Sequence, residues 1–111
     1  MNKMRNIRTE IDGIKFQSKK EGKRYQELKL LERAGEISDL NPRPNSYIVM
    51  DKKYNVNTNR HITYKPDFEY NKDGRHITED VKGRKAGTQY RLFLLKKYLM
   101  KKIYNIDVIE V

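Results

Sequence analysis

The sequence predicts an α/β fold of order α-β-β-β-α-β, one mixed sheet flanked by helices. Three observations carry this. Two segments repeat apolar residues at helical spacing, three lie between them as β-formers, and Asp73-Gly74 divides the last two of those as a hairpin turn. At 111 residues the chain is long enough for one domain with a modest core. We read residues 1–17 as an N-terminal arm or irregular lead-in, polar and sparse in apolar positions, and residues 18–111 as the domain.

Ser18-Lys19-Lys20-Glu21 is a capping-box pattern, after which Tyr25, Leu28, Leu31 and Ala34 recur until Gly35 stops them. The first helix is therefore predicted from about Lys19 to Ala34. Its other faces hold Lys20, Lys23, Arg24, Lys29 and Arg33 as a solvated basic surface. Ser46 to Met50 follows Pro42 and Pro44 and reads as a strand. A second strand is predicted over His61 to Tyr70 and a third over Arg75 to Lys82. Gly83 to Gly87 forms a basic loop, and Thr88 caps a second helix running to Tyr104, with Leu92, Leu95, Leu99 and Ile103 as its inward stripe. Asn105 ends it, and Ile106 to Val111 alternates as a last strand.

Hydrophobic and charged residues each make up 36%, so the core is thin and the surface highly charged. Lys and Arg number 25 against 15 Asp and Glu, a net charge of +10, which favours a polyanionic partner because each phosphate contact releases counterions. Charge of this kind also occurs in basic proteins that do no chemistry on nucleic acid. With no cysteine, disulfides, thiolate metal sites and cysteine nucleophiles are excluded, and a reducing, cytoplasmic setting is expected. No apolar run is long enough for a signal peptide or a membrane span. Neither a Walker-type phosphate loop nor a nucleophile elbow is present.

If Asp73-Gly74 forms a two-residue turn, Lys72 pairs with Arg75, and counting outward sets Asp67 opposite Asp80. A longer loop, Asn71 to Gly74, sets Asp67 opposite Thr78 and leaves the acids diagonal on one face. On the face of Asp67 lie Lys65 opposite Lys82 and Glu69 opposite Thr78; the other face receives Tyr64, Pro66, Phe68, Tyr70, Ile77 and Val81. Opposed like charges destabilise a sheet unless something positive compensates. Either Lys65 and Lys82 do so within a surface charge lattice, or a divalent cation does.

Pro66-Asp67, followed after the hairpin by Asp80-Val81-Lys82, resembles the PD-(D/E)xK motif of the restriction-endonuclease-like nuclease superfamily. The wider pattern SKKEGKRYQEL, YKPDFEY and EDVKG is similar to small phage- or prophage-encoded members of that superfamily, over about Ser18 to Ile106. The resemblance implies Mg²⁺, with Mn²⁺ as a substitute, held by Asp67 and Asp80, with Lys82 orienting or activating a water. It also implies a helix-one glutamate, here Glu21, whose carboxylate has the helix cap as its other candidate role. Arg84, Lys85 and Arg91 are the candidate nucleic-acid contacts. Glu79, adjacent to Asp80, falls on the apolar face with no account of why, while Glu69 is a candidate ligand for a second metal. His61 and His76 lack any zinc or HNH spacing.

The expected activity is a Mg²⁺-dependent DNA endonuclease of phage type, structure-selective or nicking, similar to a Holliday-junction resolvase and acting in DNA recombination. Symmetric cutting of branched DNA requires a homodimer. The alternative is a non-catalytic basic nucleic-acid-binding protein, with a ribosomal-type RNA-binding domain as a third reading.

Overall fold

A computed structural model describes residues 8–111. It is a small mixed α/β structure with two helices, a four-stranded sheet and two two-stranded sheets. The order is β1 (Thr9–Ile11), β2 (Ile14–Phe16), α1 (Lys19–Arg33), β3 (Ser38–Asn41), β4 (Tyr47–Met50), a 3₁₀ turn (Lys52–Tyr54), β5 (Ile62–Tyr64), β6 (Phe68–Lys72), β7 (Arg75–Asp80), α2 (Gly87–Tyr104) and β8 (Val108–Glu110).

The central sheet has the order β3-β6-β7-β8. Its first two pairings are antiparallel and β7 runs parallel to β8, with α2 as the crossover that a parallel pair requires. Lys72 pairs with Arg75, and Phe68 with Glu79, as the two-residue turn dictates. Asp73 and Gly74 both take positive φ, the requirement of a type I′ turn.

The lead-in differs from the sequence expectation. Residues 1–7 lie outside the described residues, but Thr9–Phe16 pair as a hairpin about Asp12-Gly13, both at positive φ. Phe16 anchors it in the core beside Tyr25 and Phe68, with ring centroids 5.1 and 6.1 Å away. The hairpin lies on α1 at Gly22, where an added Cβ would come within 3.1 Å of Thr9 Cγ2 and Ile11 Cδ1.

α1 is capped by Ser18, whose Oγ accepts the Glu21 N–H at 3.1 Å. Tyr25 and Leu28 bury against Phe68 and Tyr70 on one face of the sheet. Fully burying Phe68 is worth about 1.5–3 kcal/mol relative to exposure. The other face carries a second core of Val49, Tyr64, Phe93, Met100 and Val108 beneath α2.

The predicted strand over His61 to Tyr70 is two strands. Pro66 offers no N–H to a ladder, so the chain breaks there. β5 pairs with β4 while β6 joins the central sheet. β4 therefore does not neighbour the hairpin. That place is taken by β3, over which the sequence predicts no strand, before Pro42 and Pro44 redirect the chain. Because the strand is broken, Tyr64 joins the α2-side core and not the α1 side that its parity predicts.

α2 starts at Gly87 with Ala86 as its N-cap and no side-chain cap, so Thr88 does not cap it. Asn105 ends it in the left-handed conformation, as expected. Of the predicted inward stripe only Leu99 packs against the core. Leu92, Leu95 and Ile103 are 43%, 54% and 51% exposed, while Phe93 and Met100, one residue along, are buried. Apolar residues cover more than half the helix circumference, and periodicity alone cannot select among such faces.

Candidate functional site

Asp67 stands one residue before β6, and its N–H donates to the Glu79 carbonyl at 3.0 Å, which holds it against the end of β7. Its Oδ2 accepts the Val81 N–H at 2.8 Å. Asp80 is the last residue of β7 and 6% exposed. One of its oxygens accepts the Tyr64 hydroxyl at 2.5 Å, and the other faces Lys82 Nζ at 2.9 Å. Lys82 Nζ also lies 3.6 Å from the centroid of the Phe93 ring, so the ammonium is held inward by an aromatic face.

Burial, then the charges of Asp80 and Glu21, push the Asp67 carboxyl up to about 7. Glu21 is raised as well, first by burial and then by Asp80, against the opposing pull of Arg43 and the Gln17 N–H. Burial and the Asp80 charge likewise raise the Tyr64 phenol. Three acids from α1, the β5–β6 connection and β7 therefore act on one another through a region of low polarity.

Among the described residues, no three His, Cys, Asp or Glu side chains converge as a metal-holding group. Charge coupling reaches further than direct ligation, so the two observations are compatible: the acids face one another without forming a closed cage. Lys65 stands between two cavities. The smaller, 170 Å³, is lined by Glu21, Asp67, Arg43 and Phe16; the larger, 380 Å³, by Asp80, Lys82 and Arg84 with the first half of α2. Asp67 and Asp80 are a donor pair of the kind Mg²⁺ or Mn²⁺ uses, which leaves its remaining positions to waters and substrate oxygens.

A family model described as "Protein of unknown function (DUF1064)" matches residues 1–109. The chain belongs to this family. No curated protein and no solved structure gives a significant match. The DUF1064 match spans Glu21, Tyr64, Asp67, Asp80 and Lys82 together.

The other candidates separate. Glu69 accepts hydrogen bonds from Tyr47 Oη at 2.5 Å and Thr78 Oγ1 at 3.1 Å, with His76 Nε2 at 3.3 Å, so it is engaged internally. Glu79, 1% exposed, is gripped by Arg24 through Nε and Nη2 at 3.0 and 2.6 Å and accepts the Tyr70 hydroxyl. This explains why an acid lies on the apolar face, and it corrects the reading of Arg24 as solvated. Arg84 lines the larger cavity, Lys85 sits 3.8 Å from Glu110, and Arg91 is exposed on α2 away from both cavities. His61 accepts the Lys52 N–H at the 3₁₀ turn.

Sequence reasoning missed Tyr64 and Glu110 as members of the site's surroundings. Glu110 pairs with Asp80 across β7 and β8 and is held by Lys97 and then Tyr90, both at 2.7 Å, which keep its carboxyl below the usual range. A parallel partner on the far side of an 18-residue helix leaves no local signal.

Proposed function

We propose that the protein is a Mg²⁺-dependent endodeoxyribonuclease with a restriction-endonuclease-like core, nicking DNA or cutting it at branches. The observation that carries this is Asp67 and Asp80 held together at the end of the hairpin, with Lys82 Nζ 2.9 Å from Asp80. The order α1-β3-β6-β7-α2-β8 with a mixed four-stranded sheet supports the fold assignment.

A divalent cation on Asp67 and Asp80 supplies polarisation of the scissile phosphate and a bound water of lowered pKa. Burial and then the charges of Asp80 and Glu21 raise Asp67, and a cation would offset both, which is the fit between the residues and the metal. Glu21 adds negative charge behind the pair. Lys82 orients the attacking water and offsets charge that builds on the phosphate. Tyr64 fixes one oxygen of Asp80, and Lys65 with Arg84 steadies the phosphate beside it. Cutting both strands of a branch symmetrically calls for two copies.

A second reading is a non-catalytic nucleic-acid-binding protein. It is favoured by Asp80, whose oxygens are both engaged by Tyr64 and Lys82, and by the net charge of +10. The two readings part on one experiment: supercoiled plasmid and a four-way junction with Mg²⁺, Mn²⁺ or EDTA, beside Asp80→Asn and Lys82→Ala. Metal-dependent cutting lost in both variants is the expected result. Binding without cutting under either metal overturns the nuclease reading.

A further inference from the structure

The 380 Å³ cavity beside Asp80 is more than a margin of the acids. Phe93 lies beneath it, 5% exposed with the Lys82 ammonium over its ring, and Tyr90, 5.9 Å from Phe93 centroid to centroid, is the aromatic side chain of α2 left to line the wall. Leu92 and Gln89 of α2 line it, and Lys65, Arg84 and Lys96 supply three cations around it beyond Lys82. Its volume lies within the range of about 300–1,000 Å³ typical of sites for small organic groups. A stacked base pair within a duplex presents only its edges and cannot enter a recess of this size. One nucleotide drawn out of the stack can, with its base against the aromatic and aliphatic side chains of α2 and its phosphate among the lysines and Arg84.

We infer that this cavity receives a single unstacked nucleotide of a DNA strand and presents the adjoining phosphate to Asp80 and Lys82, so that the protein selects single-stranded or splayed DNA over continuous duplex. The inference rests on the nuclease reading for what is presented to those two residues; the cavity's preference for an unpaired nucleotide is independent of it. Drawing a base out of a duplex costs a few kcal/mol, least where the base is already unpaired. Stacking it on an aromatic or apolar wall returns about 1–3 kcal/mol per base. The balance is favourable for a strand with no pairing to give up and near zero or worse for an intact duplex.

The test is fluorescence anisotropy in EDTA, with one labelled oligonucleotide offered as a single strand and as a duplex, on the wild-type protein, Leu92→Trp and Leu95→Trp. Both substitutions fall at exposed positions of α2, but only Leu92 lines the cavity. The expected result is a single-strand preference of about tenfold in the wild type, or ~1.4 kcal/mol. Leu92→Trp fills the cavity and removes that preference; Leu95→Trp keeps it. Equal or tighter binding of duplex by the wild type overturns the inference, as does an equal response of the two variants. Because no metal is present, these readings hold whether or not the protein cleaves. Failure of Mg²⁺-dependent cutting removes the nuclease reading alone, and cutting with a duplex preference removes this inference alone.

Discussion

The Tyr64 hydroxyl donates to Asp80 at 2.5 Å from a strand that belongs to a different sheet. Tyr64→Phe keeps the ring in its core and removes only this bond. The buried carboxylate then loses one of its two partners, at about 1–3 kcal/mol of stability. On the proposed nuclease reading, metal-dependent cleavage is expected to fall by about 10–100-fold, the usual cost of losing a partner that orients a metal-binding carboxylate. Cleavage rates and urea denaturation of the same preparation check both numbers.

Asp67 ties stability to pH in the direction opposite to that of most carboxylates. Its folded-state value of about 7 exceeds the 3.8 of an unperturbed Asp, so between those values the folded protein holds more protons than the unfolded chain. Stability attributable to Asp67 therefore falls as pH rises through that window. In metal-free alkaline buffer, Asp67→Asn melts higher than wild type by about 4 °C or more, while its amide oxygen still accepts the Val81 N–H. On the proposed metal-site reading, added Mg²⁺ is expected to raise the melting temperature of the wild type and to leave the variant unchanged. Melting curves with Mg²⁺ and with EDTA read both effects.

Arg24 and Glu79 form an ion pair whose acid is buried and whose base is partly exposed. Removing the base alone strands the acid. Arg24→Met is expected to lower stability by about 3 kcal/mol, the lower end for breaking a buried pair because Arg24 keeps some solvent. Glu79→Gln added to Arg24→Met recovers part of the loss, since the amide still accepts the Tyr70 hydroxyl without carrying charge. Denaturant midpoints of the single and double variants test the coupling.

Gly22 is the close approach between α1 and the first hairpin. Gly22→Leu places branches where Thr9 and Ile11 stand, which costs about 1–3 kcal/mol as overpacking. The effect is local. Hydrogen exchange accelerates at the amides of Thr9–Phe16, and the amides of β6 and β7 keep their protection.

The central hairpin is legible because both its signals are local: Asp73-Gly74 sets the turn and alternation sets the faces, so Glu69 stands opposite Thr78 as expected and Glu79 lies on the face of Phe68. The same Asp-Gly signal stands at Asp12-Gly13, but its strands are three residues each, too short for alternation to mark them in a polar stretch. Tyr64 was assigned the wrong face because parity counting assumes an unbroken strand, and Pro66 breaks it. Arg24 on Glu79 and Glu110 beside Asp80 are contacts between residues far apart in the chain, which no periodicity encodes. The α2 stripe failed for a different reason: with so many apolar residues around the helix, only the packing of Phe93 over Tyr64 chooses the buried face.

That surplus has a practical outcome. Leu92, Leu95, Tyr98 and Ile103 remain exposed on a helix that contains no acidic residue, in a chain of net charge +10. Mutual repulsion keeps two such faces apart at low ionic strength, and its reach shrinks from about 10 Å at 0.1 M salt to about 3 Å at 1 M. On the proposed nucleic-acid-binding reading, salt is therefore expected to drive two kinds of association in opposite directions. Higher salt would loosen a grip on polyanions while favouring contact between the exposed apolar residues of α2, so a high-salt wash meant to strip nucleic acid is the step at which self-association is expected, and light scattering across a salt series reads it.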